Sequence, residues 1–237
     1  MTDNNRSSEV ILPILCDGAI FDLDGTLWDA TGVTAETWVS VLAGHPDVKS
    51  AMPLTQESVK RYMGLTNEEL AEVFFPALPY EKAFALMMES CALENKWLPE
   101  RGGILFHGVA ETLGQLHDKG FRLFIVSNCQ RGYIESFLHA HGLSALFEDF
   151  ESSGNTGLPK ADNIDMIIKR RGLSHPAYIG DTISDSSAAG KCGIPFIYAK
   201  YGFGEQCGRG KTDDYCCAIE DFTELLSVLE PDGKKQH

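Results

Sequence analysis

The 237-residue sequence is short of positive charge. Its 20 lysines and arginines face 34 aspartates and glutamates, a formal net charge of −14 with histidine neutral. That sign opposes any role dominated by nucleic-acid phosphates or anionic membrane surfaces, so neither is expected as a partner. No apolar run approaches the length that spans a bilayer. The opening MTDNNRSSEV lacks the apolar segment and small-residue cleavage site of a signal peptide. There is no C-x-x-C pair. The seven cysteines (Cys16, Cys91, Cys129, Cys192, Cys207, Cys216 and Cys217) are odd in number and scattered. That pattern argues against a disulfide framework and for a reducing, cytoplasmic setting. Cys207 and the Cys216–Cys217 pair have no partners at usual zinc-ligand spacing. Internal repeats and low-complexity blocks are also missing. What is present is an ordinary globular composition, 43% apolar, in a chain long enough for one large domain or a core with a smaller companion. Monomer and homodimer are both compatible with it.

The pattern along the chain is mixed. CDGAIFDL reads as a buried strand ending at Asp22. From Val33 to about Trp97 the apolar period becomes helical, with Val33, Thr37, Trp38, Val41 and Leu42 on one face. Thr66 and Glu69 have the spacing of a capping box opening NEELAEVFF. Phe84, Met87, Met88 and Cys91 form a stripe between Tyr80 and Trp97 that reads as core filling. After LPERGG, helix and strand alternate. GVAETLGQLHDKG, QRGYIESFLHAHG, ADNIDMIIKRRG and SDSSAAGKCG read as helices. FRLFIVSN, FEDFESSG, PAYIGD and PFIYAKYG read as strands, and EDFTELLSVLE as a closing helix. Such alternation implies an α/β fold with a doubly wound parallel sheet. The helical block interrupts the series after its first strand. The expected division is therefore a core of residues 1–27 and 103–237 with a small helical cap domain over 28–102.

Three of the expected strands end in polar residues: IFDLDGT at Asp22 and Asp24, FIVSN at Ser127 and Asn128, and YIGDTISD at Asp181 and Asp185. In an open parallel sheet, ligands bind beyond the carboxyl ends of the strands. Lys160 in GLPKAD stands just before a helix on the same side. Taken singly, each element has an ordinary explanation as a turn, a helix cap or a surface lysine. Together on one rim they define a site. Asp22 and Asp181, with Asp185, are hard oxygen ligands suited to Mg²⁺. A cation there removes their mutual repulsion and makes an acidic pocket attractive to phosphate. Ser127 and Lys160 are placed to hold phosphoryl oxygens, aided by the amides of Gly25 and Thr26 and the side chain of Asn128. A carboxylate oxygen of Asp22 can then attack phosphorus to give an aspartyl-phosphate. Asp24, two residues on, can protonate the leaving oxygen and later take a proton from water.

DLDGT (Asp22 to Thr26), VSN (Val126 to Asn128), Lys160, and GDTISD (Gly180 to Asp185) followed by AAGKCG carry a resemblance. In this order they resemble the haloacid dehalogenase superfamily, in the phosphoglycolate-phosphatase-like branch with a helical cap inserted after the first strand. The resemblance covers about Cys16 to Gly204. It implies Asp22 as nucleophile, Asp24 as acid/base, and Ser127 and Lys160 on the phosphate. It also implies Mg²⁺ held by Asp22, the backbone carbonyl of Asp24 and Asp181, with Asp185 supporting. The dehalogenases lack an aspartate at the position of Asp24, which disfavours dehalogenation. Two departures stand out: Pro159 precedes the lysine rather than following it, and His107-Gly108 replaces a frequent Pro-Gly.

The expectation is an enzyme, a Mg²⁺-dependent phosphatase of a small phosphorylated metabolite. Sugar-phosphate mutases of the β-phosphoglucomutase type, inorganic pyrophosphatases and phosphonate hydrolases share the motifs and differ in cap residues. Here the cap offers Lys49, Lys60, Arg61, Lys82 and Lys96, and Tyr62 to Leu70 as a specificity loop. A signalling receiver domain also phosphorylates an aspartate at a strand end, but it is shorter and lacks the helical insertion. A non-catalytic phospho-ligand binding protein would be marked by loss of Asp22, Asp24 or Lys160, and all three are present.

Overall fold

The computed structural model describes residues 13–205 and 214–232. The strand expected around CDGAIFDL is in fact two. β1 (Ile14–Cys16) and β2 (Gly18–Phe21) are separated at Asp17, whose carboxylate accepts the amides of Ser174 (2.6 Å) and His175 (3.0 Å). β3 (Trp28–Asp29) follows, then α1 (Thr31–Ala43), α2 (Gln56–Tyr62), α3 (Asn67–Phe74) and α4 (Tyr80–Arg101). β4 (Ile104–Leu105) returns antiparallel to β3, so the entry and exit of the helical insertion are zipped together.

The remainder alternates: α5 (Val109–Asp118), β5 (Arg122–Ser127), α6 (Tyr133–His141), β6 (Phe147–Ser152), α7 (Ser153–Thr156), α8 (Lys160–Arg171), β7 (Pro176–Gly180), α9 (Ile183–Cys192), β8 (Phe196–Ala199) and β9 (Cys217–Ile219). The expected closing helix is largely absent. EDFTELLSVLE forms a 3₁₀ turn (Phe222–Glu224), a single helical turn α10 (Leu225–Val228) and a strand β10 (Leu229–Pro231) that pairs parallel with β1. A short apolar run does not by itself separate strand from helix. Here Leu225, Val228 and Leu229 all bury in the core, and the extended end satisfies the edge of β1.

The main sheet has the order β6-β5-β2-β7-β8-β9, and every pairing in it is parallel. β2, β5 and β7 are its adjacent central strands, and their middles are apolar, as expected where helices cover both faces. In register, Phe21 lies opposite Ile125 on one side and Ile179 on the other. Their carboxyl ends therefore arrive at one level, and the chain leaves β2 toward neighbours on opposite sides. This is the topological switch point where such sheets bind ligands.

The helical insertion has its own apolar cluster. Trp38 packs edge-on against Phe74, with ring centroids 4.7 Å apart, among Val59, Ala71, Leu86 and Met87. This cluster is distinct from the one under the sheet. Trp28, at the insertion's entrance, instead packs against Tyr133, Phe137 and His141 on α6. Reciprocal capping boxes open α2 (Thr55/Ser58) and α3 (Thr66/Glu69), the second as the sequence spacing foretells. The six described cysteines carry free thiols; Cys207 lies outside the described residues. Among those residues no helix is long and apolar enough to cross a membrane.

Candidate active site

The end of β2 turns sharply. Leu27 donates its amide to the carbonyl of Leu23 (2.8 Å), and Gly25 its amide to that of Trp28 (3.0 Å). Gly25 has a φ of +84°, and an added Cβ there would collide with the carboxylate of Asp181, so glycine is required twice over. The amide of Thr26 is likewise spent inside the turn, on Leu23. The expectation that the Gly25 and Thr26 amides donate to phosphate is corrected accordingly. What these residues do is bring Asp181 close: Thr26 Oγ1 donates to Asp181 Oδ1 at 3.4 Å.

Asp22, Asp181 and Asp185 converge. One carboxylate oxygen from each lies within 4.8 Å of the other two, and all three residues are buried. Burial, and then the charge of Asp185, push Asp22 up to about 6. Burial followed by the charges of Asp185 and Asp22 holds Asp181 well above the ordinary carboxylate range. Three buried acids with one partner cation are short of positive charge. That partner is Lys160, whose Nζ lies 2.8 Å from Asp22 Oδ1 and 2.6 Å from Asp185 Oδ1. Burial works against its charge, but the two carboxylates outweigh burial and raise its pKa above the ordinary lysine value. A cluster of hard oxygen donors with uncompensated charge fits a divalent cation of the Mg²⁺ type.

The cluster is braced from several elements. The other oxygen of Asp185 caps α9, accepting from Thr182 N (2.9 Å) and Oγ1 (2.6 Å). Asp185 thus caps α9 through one oxygen and meets Lys160 through the other. Asp181 Oδ2 accepts the Phe203 amide at 2.7 Å, and Tyr201 donates to the carbonyl of Thr26 at 2.8 Å. This loop after β8 was not singled out in the sequence. Its signal is the G-F-G of Gly202 to Gly204: a Cβ at either glycine would strike Asp181. Tyr178, whose hydroxyl donates to Val126 O at 2.8 Å and lies 3.3 Å from Asp185 Oδ1, was missed for the same reason. It reads as an ordinary strand aromatic.

Asp24 points elsewhere. Its Oδ1 accepts the hydroxyl of buried Tyr133 at 2.9 Å, and its carboxylate is not in the three-residue cluster. Burial, and then the charge of Asp22, hold its pKa well above the ordinary range, against the pull of the Tyr133 hydrogen bond. An aspartate whose pKa is raised in this way is better suited to act as an acid than an ordinary surface carboxylate. Tyr133 is a positioning residue for it. Tyr133→Phe is expected to lower kcat roughly tenfold with little change in KM, the loss of one hydrogen bond to an ionisable group. Steady-state kinetics check this, and an unchanged kcat would show that the phenol does not orient Asp24.

Ser127 is buried at the end of β5, its Oγ accepting the Cys129 amide at 3.4 Å. Asn128 does not point its amide group freely into the site. Its Nδ2 donates to Gly64 O at 3.1 Å, and its Oδ1 accepts from Ser153 at 3.1 Å. It ties the sheet to the Tyr62–Leu70 loop. That loop does reach the site, since Gly64, Leu65 and Asn67 line the cavity that also contains Asp22 and Lys160. None of Lys49, Lys60, Arg61, Lys82 or Lys96 lines it; Lys60 instead pairs with Asp29 at 2.6 Å.

The insertion brings a residue that sequence reading missed. Glu94 of α4 is buried. Its Oε1 accepts from Trp38 Nε1 (2.8 Å) and Thr37 Oγ1 (3.5 Å), and its Oε2 from Gln130 Nε2 (2.8 Å). Burial raises Glu94 to about 7 against these donors. A glutamate on a long helix with exposed Glu89 nearby gives no sequence signal of burial.

Residues 19–199 match the family model described as haloacid dehalogenase-like hydrolase. The chain is 25% identical over 224 residues to a phosphoglycolate phosphatase of Photobacterium profundum, covering 89% of this chain and 94% of that one. It is 28% identical over 189 residues to one from Synechococcus elongatus, covering 79% and 85%. Among solved structures it resembles a predicted phosphoglycolate phosphatase from Haemophilus somnus (TM-score 0.76, 22% identity, 90% and 97% covered). It also resembles a putative haloacid dehalogenase-like hydrolase from Bacteroides fragilis (TM-score 0.74, 23% identity, 88% and 99% covered).

Proposed function

Since this chain belongs to the haloacid dehalogenase-like hydrolase family, in its phosphoglycolate-phosphatase-like branch, we propose that it is a Mg²⁺-dependent phosphatase acting on a small phosphorylated metabolite through an aspartyl-phosphate on Asp22. The observation that carries this reading is the buried junction of Asp22, Asp181 and Asp185 on the ammonium of Lys160. Residues 1–27 and 103–237 act as the core and 28–102 as the cap, a division supported by the insertion's separate apolar cluster and by the β3–β4 ladder at its base.

Asp22, Asp181 and the backbone carbonyl of Asp24 would hold the metal, with Asp185 supporting that shell. When bound, the ion neutralises the carboxylates and the phosphoryl charge. Lys160 and Ser127 orient the phosphoryl oxygens. A carboxylate oxygen of Asp22 attacks phosphorus as the bond to the leaving oxygen breaks, and Asp24 gives that oxygen its proton. Asp24, now ionised, takes a proton from water as the water oxygen attacks phosphorus. Inorganic phosphate departs and the Asp22 carboxylate is restored. Tyr133 keeps the proton-carrying group of Asp24 apart from the Asp22 cluster, which supports two distinct jobs for two aspartates only two residues apart.

Hydrolysis of an aryl phosphate, followed with and without chelator, tests the metal. EDTA is expected to abolish turnover and added Mg²⁺ to restore it. Turnover indifferent to chelation would reject the metal site while leaving the hydrolase family intact.

A further inference from the structure

Beyond the phosphoryl end, the cavity has a second wall with its own chemistry. Asp24 is hydrogen-bonded by Tyr133, and the cavity that both line is also lined by Thr34, Trp38, Glu94 and Gln130. The Thr34 hydroxyl is buried, with the residue only 4% exposed, and has no hydrogen-bond partner. An orphaned buried hydroxyl is costly unless something binds it. Glu94 has both oxygens engaged by donors, yet a carboxyl group with four lone-pair sites retains acceptor capacity. Lys160 is the one cationic side chain among the described residues lining the cavity, and it is already shared between Asp22 and Asp185.

A leaving group bearing a carboxylate or a phosphate would therefore meet Asp24 and Glu94 with no further cation among the described lining residues to receive it. A hydroxyl, donor and acceptor at once, can pair with Thr34 in either role and with Glu94 in either protonation state. We infer that the leaving-group side of this cavity selects an uncharged, hydroxyl-bearing alcohol, as in polyol or sugar phosphates, and turns away carboxylate- and phosphate-bearing leaving groups. The inference rests on the phosphatase reading above and narrows its substrate class. It separates this chain from relatives named for phosphoglycolate, and it disfavours pyrophosphate.

The test compares kcat/KM of the wild-type enzyme with Mg²⁺ on glycerol phosphate, glycolate phosphate and pyrophosphate, with an aryl phosphate as reference. Glycerol phosphate is expected to exceed glycolate phosphate and pyrophosphate by at least about tenfold, the scale of one unpaired like-charge contact in a partly screened site. Thr34→Val is expected to lower kcat/KM for glycerol phosphate about fivefold to tenfold relative to the aryl phosphate, the loss of one hydrogen bond. Glu94→Gln is expected to narrow the ratio of glycerol phosphate to glycolate phosphate by a similar factor. Glycolate phosphate or pyrophosphate matching or exceeding glycerol phosphate, with the aryl phosphate still hydrolysed, would overturn the inference and leave the phosphatase standing. Ratios unmoved by both substitutions would also overturn it. Failure to hydrolyse even the aryl phosphate would remove the phosphatase reading, and the inference with it.

Discussion

Asp22→Asn is expected to reduce Mg²⁺-dependent hydrolysis of any substrate by roughly 10⁴-fold or more, the scale on which removal of a covalent nucleophile is felt. The substitution keeps the side chain's shape. The backbone of residue 22 stays anchored by its amide to Ile179 O at 2.8 Å, and the strand beneath it is packed on both faces. The fold should therefore survive, as near-UV circular dichroism will show. What changes is chemical: an amide oxygen is a poor nucleophile toward phosphorus and brings no charge to Lys160. Activity within tenfold of wild type would mean that another group attacks phosphorus.

Lys160→Met is expected to cost both activity and stability. Lys160 is 4% exposed, and its ammonium is the shared partner of Asp22 and Asp185. Removing one member of a buried ion pair typically costs about 3–5 kcal/mol because the remaining charge is left uncompensated. For a chain of this size that corresponds to a fall in Tm on the order of 10 °C. Mg²⁺ should recover part of that loss, since it offers the same carboxylates a different cation. Turnover should not recover, because the phosphoryl oxygens lose the group that orients them. A variant with unchanged metal-free Tm would show that the lysine does not balance the buried acids.

Legibility from sequence followed the distance over which each signal acts. The parallel sheet was readable because each strand and helix carries its own period. The rim residues Asp22, Ser127 and Asp181 stood out because polar residues at the ends of apolar strands are locally anomalous, and Lys160 because it opens a helix on the same side. Two short elements were misread: Asp17 breaks the first strand, and the tail yields β10 rather than a full helix. Both are decided by pairing with distant chain, β1 with β10 and Asp17 with the amides before β7. The amide roles expected of Gly25 and Thr26 failed because the turn uses those donors itself. Tyr133, Glu94, Gln130 and Thr34 gave no warning. Each is an unremarkable residue on a helix or in a loop, and only the docking of the insertion against α6 and the β5 end brings them together over Asp22.

The most direct test is acid quenching of the enzyme during turnover with Mg²⁺, followed by mass mapping of the peptide containing Asp22. The expected result is the mass of one phosphoryl group on Asp22, labile to hydroxylamine, and accumulating in Asp24→Asn, where removal of the group by water is slowed. Sustained turnover with no phosphoryl adduct, or an adduct mapped to any other residue, would contradict the assignment of Asp22 as the nucleophile.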